Sequence, residues 1–205
     1  MRTVVVIVCL LLSAVKVYCQ EADTTLRSWK FEPNLNFYII PEDFFVLPMI
    51  TADKGKIHLE GRYNYEDRET FSAWAGYNFS GGGKLAYTIT PMAGLVAGRL
   101  SGVAPGMRFS LDLWRLSLSS ESEYFFPFYD RDGQFFYNWS DLSCSITDWL
   151  WAGISVQRTR AYHTDLAVQY GALVGAGFKR WELNAYLYDM GTLDTFLLIS
   201  LSARF

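Results

Sequence analysis

The chain has 205 residues, a net charge of −3 and no stripe of Lys and Arg. That length suits one domain, and the charge pattern lacks the electrostatic footprint of a nucleic-acid binder. Aromatic residues reach 17% of the chain against 19% charged, so where the rings stand has to be explained.

The N-terminus opens with Arg2 and an apolar run, Val4–Val15. The run has the length of a signal-peptide core and is too short to cross a bilayer as a helix. Residues 1–19 are therefore expected to be a cleaved export signal, cut near Cys19–Gln20 or Ala22–Asp23. Acylation of Cys19 is disfavoured, because Tyr18 is bulky where a lipoprotein signal takes a small residue. Cleavage removes Cys9 and Cys19 and leaves Cys144, which excludes an internal disulfide and a Cys-based metal site. Residues 20–45 begin polar, with Asp23, Arg27, Lys30, Glu32 and Pro33, and turn apolar at Asn34–Ile40. They read as an N-terminal periplasmic or plug segment, or as an extra strand. Residues 46–205 read as one β domain.

Beyond Val15 the apolar residues recur with period two, the β signal. In Lys56–Glu66, Ile57, Leu59, Gly61, Tyr63 and Tyr65 share one face, and His58, Glu60, Arg62, Asn64 and Glu66 the other. Thr70–Phe79 and Lys84–Ala97 repeat the pattern, with Pro91 expected to leave a bulge or an unpaired position. Met107–Leu113 alternates, and the phase slips by one before Leu116, so a tight turn is expected at Leu113–Trp114. Phe136–Ile146 alternates poorly. Leu150–Arg160, Gly171–Lys179, Trp181–Tyr188 and Thr195–Phe205 complete about ten strands. The number is eight if two weak runs are loops, and twelve if Asn34–Ile40 and Phe44–Thr51 join. All three are even, as closure of an antiparallel sheet requires.

Three features point the apolar faces at lipid. Aromatic residues gather near strand ends, with Tyr63, Tyr65, Tyr124, Phe125, Phe126, Phe135, Tyr137, Tyr162, Tyr188 and Phe196 at one end. Tyr77, Phe79, Trp114, Trp149, Phe178, Trp181 and Phe205 stand at the other, as in the girdles at bilayer interfaces. Connections alternate between short (Ser80–Gly83, Leu113–Trp114, Thr147–Trp149, Arg180) and longer (Ser101–Gly106, Pro127–Gln134, Ala161–Tyr170, Asp189–Asp194). Asp67–Glu69 fits this alternation least well. Finally, Leu197, Ile199, Leu201, Ala203 and Phe205 share one face of the last strand, and the chain ends on an aromatic.

In these features the sequence resembles Gram-negative outer-membrane β-barrel proteins. The resemblance implies an all-β, transmembrane, antiparallel up-and-down barrel in the outer membrane. It further implies contact with outer-membrane lipid and lipopolysaccharide, and makes Leu197, Ile199, Leu201, Ala203 and Phe205 the signal read by the barrel-insertion machinery. Facing Lys56–Glu66 the other way would cost more than about 5 kcal/mol, comparable with a small domain's whole stability.

The expected lumen then holds a polar network of His58, Glu60, Arg62, Asn64, Arg108, Asp112, Glu121, Glu123, Asp141, Glu182 and Arg204. Asn184 and Tyr186 share that face, and Trp74, Trp151 and Tyr186 add bulk inside. Groups of both signs should pair, because unpaired charge in a poorly hydrated interior is expensive. A narrow barrel is largely filled by its own side chains. The leading expectation is a non-enzymatic barrel with a filled lumen and a structural or ligand-binding role, holding no metal or cofactor. A narrow channel for small solutes is the alternative. A barrel enzyme would depend on His58 or on His163, in the Ala161–Tyr170 loop, and a lone His among charges reads better as part of an ion network. Glu121 and Glu123 read as partners for Arg62 or Arg108 rather than as an acid/base pair. Gly81-Gly82-Gly83 is a hairpin turn and no phosphate cradle, since no helix follows it. A soluble lipocalin-like barrel would place the same apolar faces inside.

Overall fold

The computed structural model describes residues 28–41, 43–129, 133–160 and 166–205. The expected export signal, Tyr162 and His163 lie outside them. The described chain is a single antiparallel sheet of thirteen segments: β1 (Lys30–Ile40), β2 (Asp43–Lys54), β3 (Ile57–Tyr63), β4 (Thr70–Tyr77), β5 (Phe79–Gly82), β6 (Leu85–Gly98), β7 (Gly102–Leu113), β8 (Leu116–Pro127), β9 (Phe135–Ser145), β10 (Leu150–Arg158), β11 (Val168–Phe178), β12 (Trp181–Tyr188) and β13 (Phe196–Ala203). Chain neighbours pair throughout except β4 and β5, which both pair with β6, and β1 pairs with β13 (Phe37 opposite Ile199), so the sheet closes into a barrel.

β4 and β5 are one strand with a gap. Gly76 faces Met92 and Phe79 faces Ile89 in one unbroken register on β6. Between them Pro91 has no N–H to offer, so the ladder lapses without a bulge and the barrel has twelve staves. This is the largest of the three counts. The difference from ten comes from β1 and β2. Within the segment expected as a plug or an extra strand, the described residues from Lys30 onward form the first stave and start the second. The connection expected at Ser101–Gly106 is likewise mostly strand, because β7 begins at Gly102.

Burial shows which way each face looks. On β3, His58, Glu60 and Arg62 are buried, while Ile57, Leu59 and Tyr63 are exposed. Leu95 on β6 and Val174 on β11 are 65% and 53% exposed. The apolar faces thus look outward and the polar faces inward. Among the described residues no helix is long and apolar enough to cross a membrane, and the outward apolar band belongs to strands. The rings of Tyr77, Phe79, Trp114, Trp149, Phe178, Trp181 and Phe205 are all exposed at the end with the tight turns, as a girdle requires.

Tight turns join β2 to β3, β5 to β6, β7 to β8 and β11 to β12. Gly55, Trp114 and Lys179 in three of them have φ of 61°, 54° and 58°, the left-handed conformation that two-residue hairpins require. Longer connections, among them 64–69 and 189–195, stand at the opposite end.

The poor alternation of β9 has a structural reason. Phe135, Tyr137 and Trp139 point inward, while Asn138 and Ser140 share the outward face. Asn138 donates to Ser120 Oγ (3.2 Å), Ser122 Oγ (2.9 Å) and the Glu121 carbonyl (3.1 Å). Ser140 Oγ donates to Asn138 Oδ1 at 3.1 Å. This outward polar island is hydrogen-bonded within itself, which lowers the cost of facing lipid.

Candidate functional site

The lumen is divided along the barrel axis. Toward the long-loop end, inward positions of β1, β2, β8, β9, β12 and β13 carry Tyr38, Phe45, Leu47, Phe125, Phe135, Tyr137, Tyr188, Phe196 and Leu198, which form one buried apolar cluster. A chain of rings runs from Phe45 to Tyr38 (centroids 4.6 Å apart), Phe196 (6.2 Å), Tyr188 (5.0 Å) and Tyr186 (6.0 Å). Phe125 packs on Phe135 at 5.2 Å. Tyr65, Phe125, Phe135, Tyr137, Tyr188 and Phe196 are therefore not girdle residues. They lie near the strand ends, but their positions in the alternation face inside.

The connection 64–69 folds into this half. Asn64 and Glu69 bracket it with φ of 60° and 55°. Tyr65 and Glu66 are buried, and Tyr137 donates its hydroxyl to that of Tyr65 at 2.8 Å. Trp74 Nε1 donates to Glu66 at 3.2 Å, and burial pushes the Glu66 carboxyl above its ordinary pKa. The infolding explains why Asp67–Glu69 fitted the alternation of connections least well, and the strand expected to reach Glu66 ends at Tyr63. Asn64, expected in the lumen network, instead shapes this turn: its side chain donates to the Val46 carbonyl and accepts from the Glu69 N–H.

Below the rings lies the ion network. Arg62, 1% exposed, is held between the rings of Tyr65 and Trp74, each centroid 4.4 Å from its guanidinium carbon. It pairs with Glu60, with Glu121 at 2.8 Å and with Glu123 at 3.0 Å. Arg108 reaches Glu60 at 2.6 Å and Glu121 at 3.4 Å. His58 bridges Asp53 (2.8 Å) and Glu60 (2.6 Å), and so belongs to the network. Gly94 makes room for this packing: a Cβ there would come within 2.4 Å of the Trp74 ring.

Toward the tight-turn end the lumen opens into a polar vestibule of about 570 Å³. One wall is the ion network. The other, from β1, β2, β12 and β13, is amide and hydroxyl: Asn34, Asn36, Thr51, Asn184, Ser200 and Ser202. At its mouth Arg204 pairs with Glu32 (3.0 Å) and Glu182 (3.2 Å). Asp112 accepts from Ser117 at 2.6 Å beside the β7–β8 turn, and this exposed pair takes no part in the network. Asp141 stands apart on β9, bonded to Trp139, Ser155 and Tyr186.

The expected network is thus three groups: the Arg62 centre, the Arg204 mouth and Asp141. Asp53, Glu32, Asn34 and Asn36 were missed because β1 and β2 stood only in the twelve-strand alternative and their inward faces were not read. Their alternation with Phe31, Leu35 and Ala52 is the signal that would have found them. Among the described residues no group of three His, Cys, Asp or Glu side chains could hold a metal ion.

On the C-terminal strand, Leu197, Ile199, Leu201 and Ala203 alternate with the inward Phe196, Leu198, Ser200 and Ser202. Phe205 continues the ladder, exchanging backbone hydrogen bonds with Phe31 at 3.1 and 2.9 Å.

A closed twelve-stave barrel with outward apolar faces, an aromatic girdle and an inward ion network has the fold of the small outer-membrane β-barrels. The solved structures it resembles are of that class. KdgM porin, alone and in complex with disordered oligogalacturonate, matches with a TM-score of 0.62 at 10% identity, over 85% of this chain and 99% of the porin. Omp33, an outer membrane protein of Acinetobacter baumannii, matches with a TM-score of 0.50 at 12% identity, over 88% of this chain and 99% of Omp33. No family model matches the chain, and neither does any curated protein.

Proposed function

We propose that this protein is a narrow channel for small polar solutes in the outer membrane of a Gram-negative-type cell. It would be exported by its N-terminal signal, inserted by the barrel-assembly machinery through its C-terminal strand, and surrounded by lipid and lipopolysaccharide. The observation that carries this reading is the vestibule: about 570 Å³ of polar-walled space inside a twelve-stave barrel. A barrel of about eight strands is filled by its side chains, whereas twelve leave room that these side chains do not occupy. The porin fold of the structural neighbours agrees with it.

In this conformation the passage is closed on the long-loop side by the infolded 64–69 segment and the rings around it. The Tyr65–Tyr137 contact ties that segment to β9. Wild-type barrels in planar bilayers should show small or rare conductance steps, and the Tyr65→Ala/Tyr137→Ala double variant larger and more frequent ones. Silence from both would remove the channel. The aromatic packing favours one second reading: a barrel permanently sealed at that end, whose vestibule is a ligand cup facing the periplasm.

A further inference from the structure

We propose that the vestibule contains a binding site for a small organic ammonium ion, with Asp141 as its counter-charge and Trp139 and Tyr186 as its aromatic wall. This rests on the reading of the vestibule as open to solutes.

The argument starts from how Asp141 differs from the other lumen acids. Asp53, Glu60, Glu121 and Glu123 each lie beside an Arg or His, and Glu32 and Glu182 share Arg204. Asp141 has only neutral partners. Trp139 Nε1 donates to its Oδ1 at 3.0 Å, Ser155 Oγ donates to the same oxygen, and the Tyr186 hydroxyl donates to Oδ2 at 3.0 Å. Among the described residues no Lys, Arg or His forms an ion pair with it. An ionised carboxylate is an acceptor only, and three donors suit that form. They hold the group in place but do not cancel its charge, so a cation from outside would complete the site.

The surroundings choose the kind of cation. Hard metal ions take several oxygen ligands, and one carboxylate that already accepts three hydrogen bonds offers few. The Trp139 and Tyr186 rings meet edge to face, with centroids 5.5 Å apart and planes at 72°. They form a corner on the vestibule wall next to the carboxylate. Aromatic faces attract weakly hydrated cations, quaternary ammonium above all. Asn36 lines the same cavity, is 3% exposed, and its Oδ1 has no hydrogen-bond partner. It is an acceptor waiting for an N–H or O–H on the ligand. The vestibule's volume lies within the range of small-ligand pockets.

The test is calorimetric titration of the folded barrel in detergent micelles with choline chloride, its uncharged isostere 3,3-dimethylbutan-1-ol, and sodium chloride. Choline should give saturable binding, with the isostere and sodium showing none. Asp141→Asn should weaken choline by about tenfold or more, the scale of a lost charge-assisted contact. Equal binding of choline and isostere, or an Asp141→Asn barrel that binds choline unchanged, overturns the proposal. If that variant does not fold, the wild-type choice between choline and its isostere decides alone. Conductance is read separately. A barrel silent in bilayers that binds choline loses the channel and keeps the site, and a conducting barrel indifferent to choline does the reverse.

Discussion

On the long-loop side of the lumen, Phe125 and Tyr188 are wholly buried, and ring stacks on ring as in the core of a soluble protein. On the tight-turn side, Asn36, Thr51 and Ser200 stand around open space. The same twelve strands build both halves, with the same alternation. The difference is which residues fill the inward positions. Large rings from opposite walls meet across the bore and exclude water, whereas Ser, Thr and Asn are too short to meet. A barrel of fixed width can therefore be a packed core at one level and a vestibule at the next.

The Arg62 layer between the halves should show the largest effect. Arg62→Ala removes the cation shared by Glu60, Glu121 and Glu123 and leaves these acids without their central counter-charge. A loss of about 3–5 kcal/mol is expected, measured by urea unfolding in detergent with heat-modifiable gel mobility as readout. In the packed half, Phe125→Ala should cost about 3–5 kcal/mol by leaving a cavity. An effect below 1 kcal/mol there would mean that the rings do not form a tight core.

On the outer surface, Val174→Arg places a charge near the middle of the lipid-facing band of β11 and should destabilise by about 2–4 kcal/mol in bilayers. With water instead of lipid around this same outward face the substitution would be nearly neutral, so this variant also tests which medium surrounds the strands. Gly94→Ala should cost about 1–3 kcal/mol by driving a methyl against the Trp74 ring. The smallest effect belongs to the vestibule. Asn36→Ala should change stability by less than about 1 kcal/mol, since its Oδ1 has no partner to lose. A large loss at Asn36 would erase the contrast between the halves.

Much of the barrel was legible in the sequence. The alternation of Ile57 to Tyr63 against His58, Glu60 and Arg62 gave orientation strand by strand, because a single charge turned to lipid is too costly to be hidden. Of the expected lumen residues, His58, Glu60, Arg62, Arg108, Glu121, Glu123 and Asp141 lie inside, whereas Asp112 and Arg204 stand at the tight-turn end and Asn64 shapes a turn. How they sort into pairs was not legible, since Arg62 meets Glu121 and Glu123 across the bore, sixty residues away in the chain. β1 and β2 entered only as the twelve-strand alternative, because their short apolar stretch beside a polar N-terminal segment also suited a plug. Only the pairing of Phe37 with Ile199 gives them their place. Loop 64–69 was opaque for a similar reason: its polar residues suit water, and it turns inward because Tyr65 finds Tyr137 and Arg62 there.

The sequence by itself determined the architecture and the direction of each face, because period-two alternation and the price of charge in lipid are local to each strand. Only the tertiary structure decided that closure joins β1 to β13, that six rings of the expected girdle form an internal core, and that Asp141 is left with neutral partners. Each of these depends on which inward side chains from distant strands come to stand at the same height in the barrel, and register across a closed sheet is not written in any one strand.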